Sequence, residues 1–86
     1  MAVVRHLDEL IQGLEGVRDA IAAKNSKVAL AALMYVSLRM YGYSPKQFAD
    51  HNAVIQELQD HLEAKEFDEA STIAVALLTK FKAMRE

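Results

Sequence analysis

The chain has 86 residues, a formal net charge of −2 and no cysteine. Without thiols there is no disulfide framework, thiolate metal centre or cysteine nucleophile, and the mild acidity disfavours a nucleic-acid binder, which needs a basic stripe against phosphates. One domain with a thin core is expected, because a chain this short buries only about 60–65% of the surface it exposes when unfolded.

Val3, Leu7, Leu10, Leu14, Val17 and Ile21 recur at steps of four and three, the seam of a first helix. Gly13 and Gly16 lie off that seam, and each costs the helix about 1 kcal/mol relative to alanine. In "KNSK", residues 24–27, Asn25 is expected to terminate the first helix and Ser26 to cap the second. The second helix runs through "VALAALMYVSLRMY", residues 28–41, with Gly42 as its expected left-handed terminator. Ser44 can cap the third helix, Pro45 takes its first position and Gln47 can complete a capping box. Phe48, Ile55, Leu58 and Leu62 form the third seam, with His51 in line; Asn52 could start a fresh turn, so a break near residues 50–52 is allowed. The fourth helix takes Asp68 as N-cap and buries Ala70, Ile73, Ala74, Leu77, Phe81 and Met84. The fold class is therefore all-α: four helices forming two antiparallel hairpins, residues 2–42 and 44–85, as a four-helix bundle or as stacked hairpins.

A shift of 41 residues lays the second hairpin on the first. Leu7 falls on Phe48, Leu14 on Ile55, Val17 on Leu58, Ile21 on Leu62, and the dipeptide at 23–24 on the identical "AK" at 64–65. The comparison isolates a surplus. The outer row of the fourth helix carries Ser71, Val75, Thr79 and Lys82, mostly wettable. Its counterpart in the second helix carries Leu30, Met34, Leu38 and Tyr41, at steps of four, four and three on one stripe. Tyr41 and Tyr43 flank the end of that stripe, and Arg39 can lay its aliphatic stem along the edge. Such a patch marks an interaction site, unless the second helix is simply covered by the first and third.

Chemistry is sparse. No two of His6, His51 and His61 have the four-residue spacing that would place two metal ligands on one helix face. Glu57 and His61 are expected to form a surface pair. There is no nucleophile elbow and no phosphate-cradling glycine loop. Seven acids against one base between Asp50 and Glu69 suggest a solvated face. A DNA-binding reading of residues 45–62 would set Glu57 and Asp60 against phosphate, which repels them. The chain lacks the roughly 18 apolar residues of a membrane span, and "MAVVRHLDEL" has no apolar signal core. The expectation is a soluble cytoplasmic, non-enzymatic module without cofactor or metal, a regulator, inhibitor, adaptor or chaperone. It would bind a protein partner or itself, as a homodimer, through Leu30, Met34, Leu38, Tyr41, Tyr43 and Arg39. The alternatives are a nucleic-acid-associated regulator and a small metal-dependent enzyme centred on His51 and His61.

Overall fold

The computed structural model describes residues 2–84, with side chains from His6 onward. They form α1 (Ala2–Ala22), α2 (Ser26–Tyr43), α3 (Pro45–Glu63) and α4 (Phe67–Met84). Neighbours alternate in direction around a square. α1 packs on α2 and α4, and α3 packs on the same two helices, while the diagonals α1–α3 and α2–α4 make no close backbone approach among the described residues. This is an up-down-up-down four-helix bundle 37 Å in its longest extent; helices of 18 to 21 residues supply roughly 27–32 Å of it at ~1.5 Å per residue.

The core is a stack of the four seams: Leu7, Leu10, Leu14, Val17 and Ile21 from α1, Ala29, Leu33, Val36 and Met40 from α2, Ile55, Leu58 and Leu62 from α3, and Ala70, Ala74, Leu77 and Phe81 from α4. Ile11, Ala20 and Leu78 join it, which widens the stripes of α1 and α4 beyond a narrow a/d seam. Val3 and Arg85 lie outside the residues whose side chains are described. Met84, expected inside, is exposed at the last residue of α4. Ile73 is half-buried and packs on the core's edge. α3 is unbroken across residues 50–52; the core position of His51 keeps the helix against α4, where the imidazole meets the Phe81 ring at 4.9 Å.

The two hairpin turns are copies. Lys24 donates its N–H to Ile21 O (2.9 Å) and Asn25 to Ala20 O (2.9 Å); with the same 41-residue shift, Lys65 donates to Leu62 O (3.1 Å) and Glu66 to His61 O (2.8 Å). This is the Schellman bonding pattern that satisfies the last carbonyls of a helix. It puts Lys24 and Lys65 in the left-handed region, at φ 56° and 59°. Asn25, not Ser26, then caps α2, its side chain accepting from Val28 N at 3.1 Å. In the second turn α4 begins at Phe67, with Glu66 O receiving the first helical bond from Ala70 N. Asp68 thus sits in the first turn, where a carboxylate favours the helix dipole, rather than at the cap. Glu66 also reaches back to His61 Nδ1 at 2.7 Å. That contact replaces the expected Glu57–His61 pair and raises the His61 pKa above its ordinary value.

Gly42 does not end α2; it has no positive φ, and the helix continues to Tyr43. Ser44 alone links α2 to α3. Its N–H donates to Met40 O (2.9 Å) and its hydroxyl accepts from Gln47 N (3.3 Å), in the extended conformation that a residue before proline prefers. Since the Ser44 N–H is taken, Gln47 does not close a capping box, and its Oε1 is buried without a partner.

Gly13 is not a neutral off-seam position. It lies where α1 crosses α2, and a Cβ there would overlap the γ-methyl of buried Val36, whereas a Cβ at Gly16 meets nothing within 4 Å. Replacing Gly16 with alanine is expected to stabilise the fold by about 1 kcal/mol through helix propensity. Gly13→Ala should instead destabilise it by about 1 kcal/mol, because a stiff β-branched neighbour cannot yield and overpacking outweighs the propensity gain. Lys24→Gly and Lys65→Gly are each expected to add about 1 kcal/mol by removing the left-handed penalty. Urea denaturation of the four variants checks all of these signs.

Candidate functional site

α2 carries apolar residues on nearly its whole circumference. One seam, Ala29, Leu33, Val36 and Met40, fills the core. A second set, Ala31, Met34, Leu38 and Tyr41, has steps of three, four and three and so forms a continuous stripe on nearly the opposite side, roughly 150° around the helix. The bundle leaves that stripe in solvent: Met34 is 64% exposed, Leu38 66% and Tyr41 60%. Leu30 is half-buried against the core. Between α2 and α3 lies an open groove of about 260 Å³ with Leu33 and Ile55 at its floor and Leu30, Met34, Leu38, Gln59 and Glu63 around it. Tyr41 closes one end of this face, its ring edge-on to Phe48 at 5.3 Å.

The other flank of α2 is pinned to α1 by a polar cluster. The Tyr35 and Tyr43 hydroxyls both donate to Glu9 Oε1 at 2.9 Å. Arg39 Nε lies 3.5 Å from the same oxygen, and its guanidinium sits over the Tyr35 ring at 5.1 Å. His6 stacks on Tyr43 at 4.0 Å. The hydrogen bonds from Tyr35 and Tyr43 favour the ionised carboxylate and hold the Glu9 pKa below its ordinary value, with Arg39 adding to the effect. The bond to Glu9, with burial, pushes the Tyr43 phenol up.

The six residues singled out from sequence thus fall on two sides. Leu30, Met34, Leu38 and Tyr41 border α3, while Arg39 and Tyr43 belong to the cluster against α1. Tyr35 and Val28, both exposed on α2, extend the apolar surface around the helix; they lie off the stripe that residue spacing alone picks out. The long-range bonds of Glu9 to residues 26 and 34 positions later have no local signature.

α3 lines the groove with Ile55, Gln59 and the carboxylate of Glu63. Asn52, Gln56 and Gln59 recur at four and three residues along the flank that carries Ile55 and Phe48, and Glu63 ends the row. Glu57 lines the opposite, α4-facing groove instead. His51 and His61 are not brought together. His51 is buried, with Nδ1 bonded to Gln47 O at 2.8 Å, and His61 is half-exposed and held by Glu66. Among the described residues no group of three or more His, Asp or Glu side chains is placed to hold a metal, and no helix is long and apolar enough to cross a membrane. Comparison with protein-family models, with curated proteins and with solved structures gives no match.

Because the folded-state pKa of Glu9 is depressed, the stabilisation it brings is present above the ordinary carboxylate pKa of about 4.3 and is lost as pH falls through the folded value. Glu9→Gln should therefore lower stability at neutral pH and lose that deficit below about pH 4. Denaturant midpoints of the two proteins across this range read the effect directly.

Proposed function

We infer that this chain works by binding protein, covering a helix or groove of its target with the outward apolar face of α2 and the bordering row of α3. The observation that carries the reading is the contiguous row of Met34, Leu38 and Tyr41, each about two-thirds exposed. At about 1.5–3 kcal/mol for full burial of such a side chain, leaving the row in water forgoes roughly 4 kcal/mol. A partner recovers that energy. Occlusion by a helix face is an established mode of protein recognition, and it fits a regulator, inhibitor, adaptor or chaperone better than an enzyme, because the polar groups around α2 are tied to one another rather than gathered in a cleft. The acidic residues of α3 and α4 make a nucleic-acid ligand the weaker reading, since phosphate would meet like charge.

Leu38→Glu is expected to leave helicity and the unfolding midpoint of the isolated subunit within about 0.5 kcal/mol of wild type, as for other surface substitutions, while abolishing association. Val75→Glu, at an exposed position of α4, should change neither. Circular dichroism, followed by sedimentation and co-purification from the native host, distinguishes the two variants. Association that survives both Leu38→Glu and Met34→Glu would contradict the proposal.

A further inference from the structure

Resting on that reading, we propose that the occupant of the α2 face is a second copy of this chain, its α2 lying antiparallel across the first about a two-fold axis near Val36. The stripe is self-complementary in this direction. A dyad midway between Met34 and Leu38 sets Met34 of each copy against Leu38 of the other. It also sets the small Ala31 against the large Tyr41 ring. Leu38, the most exposed of the row, then arrives over the α2–α3 groove of the second copy, whose apolar floor of Leu33 and Ile55 is open to receive it. The contact is isologous and closes on itself, as cyclic dimers require.

Charge placement favours the same direction. The middle of the face is uncharged: Met34, Leu38 and Tyr41 from α2, Asn52, Gln56 and Gln59 from α3. Charges occupy its ends, Lys27 and Glu63 at the Leu30 end and Lys46 at the Tyr41 end. Antiparallel pairing brings Lys46 of each copy to the Lys27–Glu63 end of the other, where the Glu63 carboxylate offers it a countercharge beside Lys27. Parallel pairing would oppose Lys27 to Lys27 and Tyr41 to Tyr41, and would leave Ala31 facing Ala31 across a gap. The available area also suits a dimer. The exposed parts of Met34, Leu38 and Tyr41 offer roughly 350–400 Å² per copy, and the rim of Ala31, Gly42, Gln56 and Gln59 widens this toward the ~600 Å² per partner at the lower end of specific interfaces.

Sedimentation equilibrium of the full chain from about 1 to 200 µM, a range that brackets interfaces of this area, should show a species of twice the chain mass. Leu38→Glu and Met34→Glu should each raise the dissociation constant about 100-fold, because the substitution enters the interface twice, with helicity retained. Orientation is read by cross-linking, since the natural chain has no thiol of its own. A mixture of Ala31→Cys and Tyr41→Cys chains should oxidise mainly to the mixed disulfide, each variant alone cross-linking poorly. Self-cross-linking of Ala31→Cys without the mixed product overturns the antiparallel arrangement. A chain that stays monomeric throughout overturns self-association. In that case the reading of the preceding subsection survives only if a different protein binds and Leu38→Glu releases it; if neither occurs, both fail.

Discussion

A helix in a square bundle touches two neighbours and can bury one side of its surface. α2 presents apolar side chains on two sides. Its inner seam of Ala29, Leu33, Val36 and Met40 is sealed, and α1 and α3 occupy its flanks. Among the described residues nothing remains to cover the outward stripe, because α4 stands on the far diagonal. Met34 and Leu38 therefore stand in water for a geometric reason, the number of faces a helix can hide in a four-cornered assembly. α4 occupies the equivalent corner of the repeat and solves the same problem with Ser71, Thr79 and Lys82, whose polar ends suit solvent; Lys82 also reaches Glu15 of α1 at 3.5 Å.

The two hairpins share the backbone hydrogen bonds of their turns, yet differ in how their helices meet. Gly13 lets α1 and α2 approach until the Val36 side chain fills the space a Cβ would need. The Glu9 cluster then ties the same pair of helices together from outside, using the hydroxyls of Tyr35 and Tyr43. The effect is to fix the rotation of α2 about its own axis. A helix held against α1 on one flank and seated by its inner seam cannot roll Met34, Leu38 and Tyr41 inward, and the same contacts aim the stripe at solvent beside the neutral row of α3.

Much of this architecture is legible in the residue order. The four seams, their reversal at short turns and the 41-residue self-similarity all follow from apolar spacing, and the dipeptide "AK" marks both left-handed positions. The surplus of α2 is visible as soon as the hairpins are laid on one another. Features that depend on contact between distant residues are not legible. The tight fit at Gly13 requires knowing which residue of α2 lies opposite, and the Glu9 cluster joins side chains more than twenty positions apart. Errors at helix ends have a local origin of another kind. Glycine is the usual left-handed residue and Gly42 reads as the end of α2, but Pro45 forces Ser44 to be extended, and that bend ends the helix one residue beyond Gly42. Asn25 outcompetes Ser26 for the cap because the Schellman turn places it, and not the serine, at the point where the chain leaves the left-handed Lys24.

Burial of the outer α2 face under a second chain can be read site by site from the methionines. Met40 is sealed in the core, while Met34 and Met84 are exposed on the subunit surface. Methyl resonances of selectively labelled methionine, followed in the presence of a soluble paramagnetic agent as the protein is concentrated, report each site separately. Met34 is expected to be bleached like Met84 in dilute solution and to become protected like Met40 as subunits associate, with Met84 bleached throughout. Met34 remaining as accessible as Met84 at every concentration would contradict that burial.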